Sequence, residues 1–166
     1  MTALAGFATL WGLGRLRPAP GTIGSLAALP LGYVLHLAGG FPLFLAGFLA
    51  VTAAGWAATA AHLRAHPGRD DPPEVIADEV AGQLLALVPL SLGLWMAGVA
   101  THVFPWPGWI GAFLTFRLFD IWKPWPISRL ERLPGAAGVM ADDLAAGLAA
   151  ALLVTLAAAI SHGWLT

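Results

Sequence analysis

The eight basic and nine acidic side chains of this 166-residue chain fall into three islands: Arg15 and Arg17, Arg64 to Glu79, and Arg117 to Asp143. Residues 18–63, 80–116 and 144–166 contain no Asp, Glu, Lys or Arg. A charge at mid-bilayer costs roughly 2.5–3.5 kcal/mol on insertion scales, so long runs without one are what lipid demands. One crossing takes about 20 apolar residues. The first two runs can each hold a helical hairpin and the third a single span, which returns every island to the same face. The expected fold is an all-α, polytopic membrane bundle of about five transmembrane spans.

Composition agrees, with 58% hydrophobic and 10% charged residues where soluble domains carry about 25% charged. A second domain would need an ionic surface this chain does not have, so residues 1–166 are read as a single membrane-embedded domain. The net charge of −1 provides no basic field for nucleic acid. Without cysteine there is no disulfide, thiolate metal site or cysteine nucleophile. The first 14 residues are apolar, with Arg15 and Arg17 after the run rather than before it, which argues against a cleaved signal. They are too few to span and suit a short N-terminal interfacial helix.

Along the chain, residues 24–38 and 43–61 read as two helices joined at Gly39-Gly40-Phe41-Pro42. Residues 80–100 form the third span, the turn from His102 to Trp109 leads into a fourth ending near Leu118, and Leu144 to Trp164 is the fifth. All eight Lys and Arg lie on the charged side, so that face is expected to be cytoplasmic.

The chemistry-bearing residues sit at the span mouths. Asp70, Asp71, Glu74, Asp78 and Glu79 crowd the entry to the third span. A bound cation would relieve their repulsion, and an oxygen-only ligand set suits Mg²⁺. A solvated acidic loop opening a helix is the plainer reading, especially for Asp70 and Asp71. Asp142 and Asp143 repeat the pattern where the last span opens, with helix capping as the alternative. Arg117, Asp120 and Lys123 follow at one-turn spacing, stopped by Pro124, and such cations neutralise phosphate or anchor the chain at the interface. Pro20-Gly21-Thr22-Ile23-Gly24-Ser25 could offer amides and hydroxyls to an anion, although it lacks the lysine of a nucleotide loop. His62 and His66 are one turn apart without an HExxH pattern, and an interfacial structural role suits them, as it does the isolated His36, His102 and His162.

Taken together, Gly21-Thr22-Ile23-Gly24-Ser25, the stretch Asp71, Val75, Asp78-Glu79 and Gly82, the run from Arg117 to Ile127, and Gly138-Val139-Met140-Ala141-Asp142-Asp143 with Ala146-Gly147 resemble the phosphatidylglycerophosphatase A family. The resemblance implies a bacterial inner-membrane enzyme that uses Mg²⁺ to hydrolyse the terminal phosphate of phosphatidylglycerophosphate, releasing phosphatidylglycerol and phosphate. On that reading Asp78, Glu79, Asp142 and Asp143 hold the metal, and Arg117 and Lys123 balance phosphate charge. Asp120 orients a cation or acts as general base, and Gly21, Thr22 and Ser25 bind substrate oxygens. Another metal-dependent lipid-phosphate hydrolase, a head-group transferase or a small transporter are the rival expectations.

Overall fold

The computed structural model describes residues 3–69, 71–161 and 163, and among these all regular structure is helical. Asp70, His162 and Trp164 lie outside the described residues. In chain order the elements are α1 (Ala3–Ala8), a 3-10 segment (Leu10–Arg15), α2 (Pro20–Ala65), α3 (Ala77–Met96), α4 (Trp106–Trp122), α5 (Ile127–Leu130) and α6 (Ala136–Ser161). Three of them, α2, α3 and α6, are long and apolar enough to cross a membrane.

Helix α2 is two antiparallel arms rather than one rod. Gly39 and Gly40 leave helical geometry, and Gly40 takes φ +62°, a value that costs glycine little and other residues much. The chain reverses there, so that a Cβ on Gly47 would meet the Leu35 side chain at 2.6 Å. Pro42 falls in the first turn of the second arm, where its missing N–H breaks no helical bond. Pro20 opens the first arm in the same way. Helix α4 starts at the Pro-flanked Trp106 and stops at Lys123, which is left-handed (φ 44°) and precedes Pro124. It has 17 residues, slightly short of a full crossing.

Phe44 of α2, Leu84 and Leu87 of α3, Phe116 of α4 and Ala146 and Ala150 of α6 form one buried core. Leu114, Leu118, Leu148, Leu152 and Ile160 point outward and are exposed, the pattern of helices whose solvent is hydrocarbon. Small residues set the closest crossing. Gly82 of α3 and Gly147 of α6 lie so near that a Cβ on Gly147 would strike the Gly82 carbonyl, and one on Gly82 would lie 2.6 Å from the Asp143 carbonyl.

Helix α1 packs on the charged end. The Ile76 amide donates to the Ala8 carbonyl at 2.9 Å, and Ala8 is buried with Ala58, Val75 and Val139. Gly14 is pressed against the Glu74 carbonyl. The N-terminal segment thus braces the loop that leads into α3.

Candidate active site

The close α3–α6 crossing brings the first turn of α3 beside the second turn of α6. Asp78 and Glu79 stand in the first turn of α3, where carboxylates favour the helix dipole. The sequence suggests that Asp142 and Asp143 open the last span, but α6 begins earlier, at Ala136, after Gly135 turns the chain at φ +66°. The two aspartates therefore sit about two turns inside the helix and cap nothing. One carboxylate oxygen from each of Asp78, Glu79 and Asp143 lies within 4.8 Å of the others. Asp78 Oδ1, Glu79 Oε2 and Asp143 Oδ2 are buried and have no hydrogen-bond partner.

Three buried anionic groups facing one another without donors are costly unless a cation joins them. The oxygen-only donor set matches a hard divalent ion such as Mg²⁺ and excludes the soft metals that prefer thiolate. On donor chemistry and spacing, the residues present fit the magnesium that the sequence resemblance implies.

Cations flank this trio. Arg117 is ion-paired with Asp120, one turn along α4, and Asp120 lines the same cleft as Asp143. Lys123 Nζ donates to Asp142 Oδ2 at 2.7 Å and to Glu131 Oε1 at 2.9 Å. Burial pulls the Lys123 ammonium down, but those two bonds outweigh it, so the group is held above the ordinary lysine value and stays cationic. On the loop before α3, Arg69 makes a bidentate pair with Glu74, and His62 Nε2 is 3.7 Å from the same carboxylate. Partial burial raises the Glu74 carboxyl. Its own backbone amide and the Arg69 guanidinium prevail and hold it below the usual glutamate range.

The carboxylate trio, Asp71, Asp120 and Lys123 line an open cleft of about 550 Å³, and Arg117 stands behind its wall at Gly21. A cleft that carries both clustered carboxylates and the cations Lys123 and Arg132 can hold a metal and a phosphate together.

The family model for phosphatidylglycerophosphatase A matches residues 6–158. The chain is 31% identical to phosphatidylglycerophosphatase A of Escherichia coli (strain K12), over 87% of this chain and 76% of the relative. It is 34% identical to the Haemophilus influenzae protein of the same name, over 87% of this chain and 82% of the relative. This chain belongs to the phosphatidylglycerophosphatase A family. No solved structure matches it significantly.

Within this family member, residues from the second and third charged islands meet around one cleft. Asp78, Glu79 and Asp143 form the trio, whereas Asp142, one residue from Asp143 and so about 100° round the helix, turns to Lys123. Gly21 is packed between two site residues: a Cβ there would lie 2.5 Å from Glu79 Oε1 and 3.3 Å from Arg117 Nη1. Thr22 is half-buried one residue on, outside the cleft wall. Ser25 is fully buried, and its hydroxyl donates to the Gly21 carbonyl at 2.9 Å. The segment reads as an anion-facing loop in the sequence, but the helix starts at Pro20 and the hydroxyl of Ser25 is used inside it.

His62 and His66 stack with ring centroids 4.4 Å apart, and His62 serves the Glu74 loop, away from the trio. Two residues escaped sequence reasoning. Glu131, the second partner of Lys123, lies beyond a proline-rich turn that breaks any helical register between them. Gln83 is fully buried with both amide atoms unpartnered, one turn beyond Glu79. A lone amide in an apolar span was the available signal.

Proposed function

We propose that this protein is a Mg²⁺-dependent phosphatidylglycerophosphate phosphatase that works at the cytoplasmic face of the bacterial inner membrane, with about five spans holding the bundle in lipid. Family membership supports the reaction class. The observation that carries the reading is the meeting of the Asp78, Glu79 and Asp143 carboxylates, one oxygen of each within 4.8 Å of the others and each with a buried oxygen that has no hydrogen-bond partner.

Asp78, Glu79 and Asp143 would hold the ion. Bound there, Mg²⁺ supplies Lewis acidity and offsets the charge of the phosphomonoester. Arg117 and Lys123 bind the non-bridging phosphate oxygens, Arg117 with a planar fork and Lys123 as a point charge. Asp120 keeps the Arg117 guanidinium in place and, in the wall of the same cleft as Asp143, would accept a proton from the attacking water. The new bond forms between water oxygen and phosphorus, and the phosphorus–oxygen bond to the glycerol carbon chain breaks. The alcohol takes up a proton and leaves as phosphatidylglycerol, with inorganic phosphate as the second product.

Phosphate release from phosphatidylglycerophosphate, phosphatidic acid and glycerol 3-phosphate by the purified protein tests this directly. The expected outcome is release from phosphatidylglycerophosphate that stops in EDTA and returns with Mg²⁺. Undiminished turnover in EDTA would remove the metal role, and a preference for phosphatidic acid would remove the substrate assignment.

A further inference from the structure

A second concavity lies between the first arm of α2 and the start of α4. It measures about 410 Å³ and is lined by Leu26, Leu29, Pro30 and Tyr33 of α2 with Phe104 and Trp109. The four α2 residues recur at three- and four-residue spacing and so form one stripe on the helix. One turn toward the charged end, that stripe reaches Thr22. There the two helices meet, with Arg117 Nη1 against Gly21. Gly21 also touches Glu79, and Pro20 and Glu79 both line the cleft, so the turn of α2 below the groove borders the cleft. The far end is closed by Tyr33, whose hydroxyl donates to the His102 carbonyl at 3.4 Å and whose ring lies 5.8 Å from Phe104.

The lined stretch from Leu26 to Tyr33 rises about 10 Å at 1.5 Å per residue, and the further turn down to Thr22 extends the stripe to about 17 Å. One leaflet's hydrocarbon is about half of the roughly 30 Å bilayer core, so the lengths agree. We propose that this groove is the seat of one acyl chain of the phospholipid phosphomonoester whose phosphate enters the cleft, so that the lipid approaches sideways between α2 and α4. The proposal rests on the lipid-phosphate reading above and adds where the lipid's apolar part binds. An acyl chain is favoured over a partner helix on size: a helix segment as long as the lined stretch, about 10 Å across, needs roughly twice the groove's volume. Arg117, which reaches Gly21 more than one turn below Leu26, stands where an ester and phosphate would emerge and points the same way.

Leu26 is 47% exposed on the groove wall, and Leu148 is 53% exposed on α6, away from it. Tryptophan at either position adds bulk without entering the core. Leu26→Trp is expected to lower kcat/KM for dioleoyl phosphatidylglycerophosphate by about tenfold, equivalent to losing roughly two buried methylenes. Turnover of the deacylated compound carrying the same phosphomonoester should be unchanged, and Leu148→Trp should alter neither. Equal loss on both compounds, no loss on either, or the same loss from Leu148→Trp would overturn the proposal. An arm that does not depend on turnover uses phosphatidylglycerophosphate bearing a diazirine in its acyl chain, with EDTA, against phosphatidylcholine bearing the same chain. Enrichment of label at Leu26, Leu29 or Trp109 with the phosphomonoester lipid supports the groove, and identical labelling by both lipids rejects it. A wild-type protein that releases phosphate from neither compound would sink the phosphatase reading, leaving the labelling pattern to decide the groove.

Discussion

Asp142 and Asp143 are adjacent in sequence yet do different work, because one step along a helix turns a side chain by about 100°. Asp143 joins Asp78 and Glu79, and Asp142 holds Lys123. Asp143→Asn should cut phosphate release by about 100-fold or more and raise the Mg²⁺ concentration needed for half-maximal rate. Asp142→Asn should cost about 10-fold to 100-fold by freeing Lys123, at unchanged Mg²⁺ dependence. Equal Mg²⁺ titrations for the two variants would refute this division. Glu74 gives a stability prediction. Its carboxyl is held below the ordinary value near 4.5, so its contribution is complete above that pH and is lost as pH falls through the lower folded value. The Arg69 side chain is about half exposed, so Glu74→Gln should cost only about 0.5–1 kcal/mol at pH 7 in detergent unfolding, a difference that fades in acid. At this scale the sequence displayed the acids and cations but not their partners. Glu131 pairs with Lys123 through a turn whose geometry no periodicity encodes.

Among the elements, the hairpin in α2 was legible because Gly39-Gly40 and Pro42 are strong breakers with few alternatives. The start of α6 was not. Its first turns, from Ala136 to Ala141, are apolar and contain no side-chain cap, so the charged pair was mistaken for the helix opening. The element that positions the site is the α3–α6 crossing, and it depends on having no side chain at Gly82 and Gly147. Gly147→Leu should push the helices apart, costing about 1–3 kcal/mol and separating Asp143 from Asp78 and Glu79. A lower unfolding temperature together with lost phosphate release is the expected result. Full activity in a stable Gly147→Leu protein would show that the close crossing is dispensable.

For the whole molecule, exposed Trp11, Trp122 and Trp125 ring the charged end, and exposed Trp95 and Trp106 ring the other, as side chains at two lipid–water boundaries do. The chain has no cysteine, so single replacements can report its sidedness cleanly. Arg132→Cys in intact bacterial cells should resist a membrane-impermeant maleimide until lysis, while His102→Cys, on the opposite side, should react once the reagent passes the outer membrane. The reverse pattern would invert the orientation. Helical class and the confinement of charge to three islands between long apolar runs were determined by sequence alone, because hydrocarbon penalises each charged residue individually, whatever its neighbours. Which oxygens face one another was decided only by tertiary structure, because it depends on helix rotation, on where α6 begins and on the few ångströms of approach that two glycines permit.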